Sequence, residues 1–288
     1  MLHRMALSYN AHRPDMSLTL APLTAIVIAC LAGGALSVLA AAGTLALHSR
    51  WISPLVSFAV GALLGAVFLE LLPHALEHGD TQRVMLTVLI GLLLFFLLEK
   101  LVLWRHSHLE AESLAEGALL HETEDATDDA RPHSHGFDGG RSGLMILIGN
   151  SVHNFCDGIV IAATFIADFT LGTTTALAIV AHAIPQQVGD FAVLLHSGYT
   201  RLRAFVYNLA TGAATLAGGL AGYAALASMQ EVLPTVLALA AASLLYVAVA
   251  DLIPSLHRHP SPGDTARQLA LIGVGIAIIA IAHVALEH

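Results

Sequence analysis

The sequence predicts an all-α membrane protein whose chain crosses the bilayer eight times. It contains 288 residues, of which 56% are hydrophobic and only 11% are charged. A soluble globular chain carries roughly 25% charged residues, so this chain has too few of them to cover a surface in contact with water. Its apolar runs reach the length of about 20 residues that a helix needs to cross a bilayer. They are continuous rather than alternating, which favours helices over the strands of a membrane barrel.

The apolar runs define the predicted spans and divide the chain. The spans are Leu18–Gly43, Ile52–Leu76, Arg83–Trp104, Gly143–Ala167, Gly172–Gly198, Arg203–Ser228, Leu233–Ser255 and Ala266–Leu286. The predicted organisation is therefore an N-terminal tail (1–17), three spans (18–104), a polar connection (105–142) and five further spans (143–288).

Lys and Arg residues are divided unevenly between the two ends of these spans. One side carries Arg50, Lys100, Arg105, Arg131, Arg141, Arg201, Arg203, Arg258 and Arg267. The other side carries only Arg4, Arg13 and Arg83. Because cytoplasmic loops hold the excess of positive charge, we expect both termini to face outward. A bacterial cytoplasmic (inner) membrane is the expected location, and the net charge of −9 argues against a nucleic-acid partner.

The connection between the third and fourth spans differs in composition from the rest of the chain. It contains, among many acidic residues, His106, His108, His121, His133 and His135. Such a polar segment cannot bury enough apolar surface to fold, so we predict that it is mobile and, by the charge rule, cytoplasmic. It either collects metal, because imidazole is a good ligand for zinc, copper and nickel ions, or serves as a solvated acidic linker.

Polar residues at helical spacing interrupt the fourth span. His153 and Asp157 lie one turn apart on one face, and Asn154 lies between them in the sequence. A carboxylate in the middle of the bilayer costs roughly 2.5–3.5 kcal/mol on insertion scales, so such residues normally face a cavity and mark an ion pathway. The pattern indicates a metal site or a proton site and does not separate the two.

The fifth span carries a matching set. His182, Gln186 and Asp190 recur at helical spacing on one face. Pro185 has no N–H group, so the carbonyl of Ala181 loses its helical partner and must find water, a side chain or an ion. Two facing helices would then offer imidazole, carboxylate and amide groups at one depth, a set suited to Zn²⁺.

Two further spans share an acid-plus-proline pattern. The second contains Glu70-Leu71-Leu72-Pro73 and the seventh contains Asp251-Leu252-Ile253-Pro254. By the predicted topology they lie on opposite sides of the membrane, as in the inverted repeats that underlie alternating access. Glu70 and His74 are candidate entrance groups and Asp251 is a candidate exit group; the alternative is that each acid–proline pair only ends a helix at the interface. In the sixth span, Asn208 either completes the site or pairs two helices.

Three functional classes fit these residues. One is a metal-ion transporter. Another is a membrane-embedded metal-dependent hydrolase, which would use the same ligands with an open position for an activated water. The third is a proton-coupled permease with His153 and Asp157 as relay groups. An ATP-driven pump acting alone is excluded, because the only lysine, Lys100, has no P-loop around it.

Two motifs give the sequence a specific resemblance. His153-Asn154-Phe155-Cys156-Asp157-Gly158 and His182-Ala183-Ile184-Pro185-Gln186 resemble the paired fourth- and fifth-helix signature of the Zrt/Irt-like protein (ZIP) metal transporters. The resemblance extends over nearly all of the chain from Leu18 to Leu286. It implies an eight-helix fold, a binuclear site between the fourth and fifth helices, movement of one bundle against another, and transport of Zn²⁺ into the cytoplasm. Cd²⁺, Fe²⁺ and Mn²⁺ are alternative substrates, and a homodimer is a further expectation.

Carried over position by position, the resemblance implies a set of metal ligands. The matching residues are His153, Asn154, Asp157, His182 and Gln186. The sequence departs from the family pattern where Ala183 and Gln187 replace Glu, and where Ala66 and Glu70 replace Asp and His. Because these departures lower the negative charge expected around the site, the number of metal positions, one or two, stays open.

Overall fold

The computed structural model describes residues 16–43, 52–121, 141–257 and 261–287. Within them the chain forms eight long helices and no strand, which confirms the all-α fold class. The helices are α1 (Met16–Gly43), α2 (Ile52–His78), α3 (Thr81–His121), α4 (Arg141–Ala167), α5 (Phe169–His196), α6 (Arg201–Leu226), α7 (Leu233–Leu256) and α8 (Pro262–Glu287). A short 3-10 helix, Gln230–Val232, precedes α7.

Each predicted span coincides with one of these helices. In the part of the chain that the structure describes, seven helices are long and apolar enough to cross a membrane. Helix α4 is not among these seven helices, because polar residues around His153 interrupt its apolar run. The outward faces are apolar as well: Leu86, Leu89, Leu93 and Leu97 of α3 are all exposed. A row of exposed leucines suits contact with lipid and not with water.

Helix α3 is much longer than predicted. It has 41 residues and continues from the predicted end of the third span at Trp104 to His121. The prediction that the polar connection does not fold is therefore wrong for 105–121. This segment is rich in Ala, Leu and Glu, which favour helix, and it extends an existing helix, so no new nucleation is needed. The N-terminal tail up to residue 15, and 122–140 with His133 and His135, lie outside the described residues.

The helices form two groups. Helices α1, α4, α5 and α6 pack against one another, and α2, α3, α7 and α8 form the second group. The main contact between the groups is that of α2 with α5. Buried apolar side chains from both groups, including Leu63 and Leu71 of α2 and Ile161 of α4, belong to one continuous core cluster. The polar residues of α4 and α5 therefore lie in one group, beside the helices of the other.

Helices α2 and α7 share an unusual local geometry. Each consists of a 14-residue α-helical segment followed by a six-residue π turn, Ala66–Leu71 in α2 and Val247–Leu252 in α7. The N–H of Leu72 donates to the carbonyl of Val67, and that of Ile253 to Ala248, five residues back in both cases.

A proline follows each π turn at the same distance. Pro73 and Pro254 are the second residues of the α-helical segments that follow the two turns. Neither can donate to the carbonyl four residues earlier, so the regular hydrogen-bond ladder cannot continue through this point. Glu70 and Asp251 are each the fifth residue of their π turn. The acid–proline resemblance seen in the sequence is thus a resemblance in backbone structure, and π turns of this kind are frequent at functional sites.

Candidate metal site

His153, Asp157 and His182 bring three possible metal ligands to one point. The Nε2 atom of His182 lies 3.4 Å from Nε2 of His153 and 3.4 Å from Oδ2 of Asp157, and the His153 Nε2 to Asp157 Oδ2 distance is 3.6 Å. Ligands held at about 2.0–2.1 Å from a tetrahedral Zn²⁺ stand roughly 3.3–3.4 Å apart. The three atoms, which we call the central site, therefore form a triangle of the size that one zinc ion requires.

The carboxylate of Asp157 is buried without the hydrogen bonds that a buried charge needs. The side chains of Asp157 and His182 are 2% and 1% exposed, and that of His153 is 22% exposed. Among the described residues, neither oxygen of Asp157 accepts a hydrogen bond, and distances of 3.4 and 3.6 Å to the imidazole nitrogens are long for one. An isolated buried carboxylate is costly unless it is paired or coordinates a metal. Partial exposure of His153 gives the site an open side.

Direct backbone contact between α4 and α6 fixes the position of Asp157. A Cβ atom on Gly158 would lie 2.0 Å from the carbonyl oxygen of Thr215 in α6, and one on Gly218 would lie 1.9 Å from that of Phe155 in α4. Only glycine permits this approach. The helix that carries His153 and Asp157 is thus held against α6 with little freedom to rotate.

Helix α5 orients His182 from the other side. The Nδ1 atom of His182 lies 3.4 Å from the carbonyl oxygen of Ala178 one turn earlier. A proton on Nδ1 that points to this carbonyl leaves the lone pair of Nε2 directed at the central site, the arrangement found for metal-binding histidines. Pro185 lies inside α5, as predicted, so the carbonyl of Ala181, beside His182, cannot accept the usual hydrogen bond from residue 185.

Three further predicted site residues, on the same two helices as this centre, have buried polar atoms without partners among the described residues. Asn154 is 3% exposed, and its Nδ2 atom has no hydrogen-bond partner within the described ranges. The same holds for Oε1 of Gln186 and for Oδ2 of Asp190, whose carboxylate lies beside Asn150 of α4. Buried polar groups normally have partners. The two oxygens are therefore available to an ion or to water and the amide N–H of Asn154 to water, and a role of these residues as metal ligands stays a prediction.

Asn208 and Gln187 form a separate contact between α5 and α6. Nδ2 of Asn208 donates to the carbonyl of Gln187 at 3.0 Å, and Nε2 of Gln187 donates to the hydroxyl of Thr211 at 3.1 Å. Both side chains are buried. The sequence left open whether Asn208 completes the metal site or pairs two helices. Its Nδ2 atom pairs α6 with α5, whereas its Oδ1 atom has no partner among the residues described. The side chain of Gln187 is engaged with α6, so its replacement of a family Glu does not leave an open ligand position there.

The candidate entrance groups lie in two separate environments. Oε2 of Glu70 is 2.9 Å from Nδ1 of His283 in α8. The ring of His74 instead stacks on that of His78 at 4.4 Å and interacts electrostatically with Asp168, which caps α5. Sequence reasoning placed Glu70 and His74 together and missed His283. The available signal was a histidine inside the apolar run of the last span.

The candidate exit group belongs to an acidic cluster. Asp251 is exposed and interacts electrostatically with Glu99 of α3 and with His153 and His182 of the central site. The hydroxyl of Tyr246, one turn before Asp251, donates a hydrogen bond to Glu99. Sequence reasoning did not assign Glu99 or Tyr246 to the site, although a glutamate inside the third apolar run was a visible signal. The charge of Asp251, on the second helix group, therefore acts on the central site.

Comparisons with known proteins give this architecture a family. A family model described as ZIP Zinc transporter matches residues 16–283. The chain is 30% identical over 287 residues to the zinc transporter ZIP13 homolog of Drosophila melanogaster. The aligned region covers 83% of this chain and 79% of that protein. It is 30% identical to human zinc transporter ZIP13, covering 80% and 70% of the two chains. With human zinc transporter ZIP5 the identity is 32%, over 81% of this chain and 52% of that protein.

The fold, the buried donor set and these matches define a polytopic membrane protein that transports metal ions and is not an enzyme. The chain belongs to the ZIP zinc transporter family, as its two helix motifs predicted. Membership in this family decides against the membrane-embedded hydrolase. The relatives named above are animal proteins, so the predicted bacterial inner membrane is not supported by them and stays a prediction.

Proposed function

We propose that this protein carries Zn²⁺ into the cytoplasm through the central site formed by His153, Asp157 and His182. The observation that supports this most directly is the buried Asp157 carboxylate, which accepts no hydrogen bond from the described residues and faces two imidazole nitrogens at zinc-binding spacing. Two imidazoles and one carboxylate form a ligand set used for catalytic and exchangeable zinc, with a fourth position left open. Asn154 and Gln186 are the proposed sources of further neutral oxygen ligands.

The proposed path runs from the outer to the cytoplasmic side. The ion enters near Glu70 and His74, at the predicted outward end of α2, and binds at the central site. It then passes Asp190, two turns along α5 from His182, and leaves towards Asp251. The predicted orientation comes from the excess of Arg on the cytoplasmic side. Movement of the group α1, α4, α5 and α6 against the other four helices would open the central site to each side in turn.

Uptake into reconstituted vesicles tests this proposal. Vesicles loaded with a zinc-sensitive dye should fill at a saturable rate, and His153→Ala and Asp157→Asn should each lower that rate by more than about 100-fold, because removal of a ligand exceeds the 10- to 100-fold cost of removing a group that only supports one. His257→Ala is the matched control, since His257 is an exposed residue at the end of α7. Uptake by the Asp157→Asn variant at the parent rate would exclude the assigned site.

The identity of the ion is tested in the same vesicles. Imidazole-containing sites bind several first-row divalent metals, so competition by Cd²⁺, Fe²⁺ and Mn²⁺ against zinc uptake measures the order of preference. The proposal requires Zn²⁺ to be transported in the absence of the others. Vesicles in which the predicted cytoplasmic side of the protein faces the enclosed dye should fill with zinc. Vesicles with the protein in the opposite orientation should not.

A further inference from the structure

Glu70 and His283 join α2 to α8 at the predicted outer end of both helices. The Oε2 atom of Glu70 lies 2.9 Å from Nδ1 of His283, and the two side chains are 2% and 35% exposed. The carboxylate is therefore enclosed by protein, while the imidazole is open on one side.

The helix backbones, and not the ion pair, set the spacing between α2 and α8. A Cβ atom on Gly61 would lie 2.1 Å from the carbonyl oxygen of Ile272, and one on Gly275 would lie 2.4 Å from that of Phe58. Only glycines allow the two backbones to touch in this way. Ile279, one turn before His283, is fully buried and lies against Gly65. The pair is thus held in place by contacts that extend for several turns on one side of it.

The interaction between Glu70 and His283 is not needed to hold α2 against α8. Desolvation of a buried carboxylate offsets much of the Coulomb attraction to its partner, so a buried ion pair is weak evidence of a stabilising role. The backbone also presents Glu70 in a special way, because it lies in the π turn before Pro73. A carboxylate–imidazole pair in a distorted turn, at a point where backbone contacts already hold the two helices together, suits a functional site better than a structural brace.

The chemistry of the pair is that of a zinc site. Carboxylate oxygen and imidazole nitrogen are both zinc ligands, and a widening from 2.9 Å to roughly 3.3 Å would let both bind one ion. We propose that Glu70 and His283 form an outer loading site for the transported divalent metal ion, separate from the central site; this inference rests on the proposed function. Two protein ligands leave the other positions to water, so the ion is held weakly and can move on.

Zinc-uptake kinetics in vesicles test the outer loading site. Glu70→Gln and His283→Gln each replace a strong zinc ligand with a weaker neutral amide and should raise KM about tenfold while leaving the maximal rate within about twofold, the pattern expected when a binding interaction is weakened without an effect on later steps. Because both residues serve one site, the double variant should have the KM of the single variants and not the product of their effects. Glu231→Gln, at an exposed glutamate on the same predicted side, should leave KM unchanged.

A third variant separates a ligand from a structural partner. Glu70→His keeps two zinc ligands at this place but abolishes the carboxylate–imidazole pair, so its KM should stay within about threefold of the parent. If Glu70→His is as impaired as Glu70→Gln, or if neither Gln variant changes KM, the outer loading site is excluded. Failure of the wild-type vesicles to take up zinc at all would instead overturn the proposed function. Equal amounts of monodisperse purified protein for all variants guard against a folding defect.

Discussion

The Nε2 atoms of His153 and His182 lie 3.4 Å apart, although the two residues are separated by 29 positions in the chain and belong to different helices. Their rings meet nearly at right angles, with an interplanar angle of 80°. Both nitrogens also face the buried carboxylate of Asp157. The triangle of possible ligand atoms therefore exists only where α4 and α5 are docked on one another, and we expect any change that shifts one helix against the other to change the metal affinity.

Zinc should stabilise the folded protein, and Asp157 should be required for this effect. A ligand that binds only the folded state at 100 times its Kd stabilises it by about 2.7 kcal/mol. Thermal unfolding in detergent should therefore show a higher Tm with zinc for the wild type and no increase for Asp157→Asn. The His257→Ala variant should keep the full increase. An unchanged zinc effect in Asp157→Asn would mean that the stabilising ion binds elsewhere.

Addition of a single methyl group at Gly158 should disrupt the central site. The new Cβ of Gly158→Ala would lie 2.0 Å from the carbonyl of Thr215, so α4 must move away from α6, at a cost of about 1–3 kcal/mol or more. The zinc affinity, measured by isothermal titration calorimetry, should fall at least about tenfold, which corresponds to 1.4 kcal/mol.

The control for this change lies on the same helix. A Cβ on Gly149 would have no neighbour within 4 Å. Gly149→Ala should therefore keep the parent affinity and, since alanine favours helix over glycine, raise the stability by up to about 1 kcal/mol. Equal affinities for the Gly158→Ala and Gly149→Ala proteins would show that the contact between α4 and α6 does not position the ligands.

The contact between Gln187 and Thr211 should contribute to stability and not to metal binding. Thr211→Val leaves the buried amide of Gln187 without its side-chain acceptor, which should lower the free energy of unfolding by about 1–3 kcal/mol. The double variant Gln187→Met with Thr211→Val removes both polar groups and should recover part of this loss. The zinc affinity of both variants should stay within about threefold of the parent, because the side chain of Gln187 is engaged with α6. A large loss of affinity in the double variant would instead make Gln187 a metal ligand.

Helical spacing predicted that His153 and Asp157 share one face of α4, and the structure brings His182 of α5 to the same point. That Gln186 and Asp190 face this point together with His182 stays a prediction. The side chain of Gln187 is held by the hydroxyl of Thr211 in α6, a contact between helices that spacing along one helix does not predict. The distances across α4 and α5 could not be predicted, because they depend on how the two helices pack and not on spacing within either helix.

Contacts between distant spans were beyond the sequence pattern. The pairing of Glu70 with His283 joins α2 to α8, and that of Glu99 with Tyr246 joins α3 to α7. No spacing along the chain links such positions. The π turns were also not predicted, although Pro73 and Pro254 indicate a break in the helical hydrogen bonds. In α3, low hydrophobicity led to the prediction of a mobile segment, whereas helix propensity and continuity with the preceding span decided the outcome as far as His121.

Because α2 and α7 contain matching π turns, a substitution in one helix can be compared directly with the equivalent substitution in the other. Glu70 and Asp251 occupy the same place relative to a proline in helices of the same design, so a substitution at one has a natural counterpart at the other. Where the paired substitutions have equal effects, the shared backbone geometry is responsible. Where they differ, the difference reports the separate surroundings of the two acids, because Glu70 is buried and Asp251 is exposed.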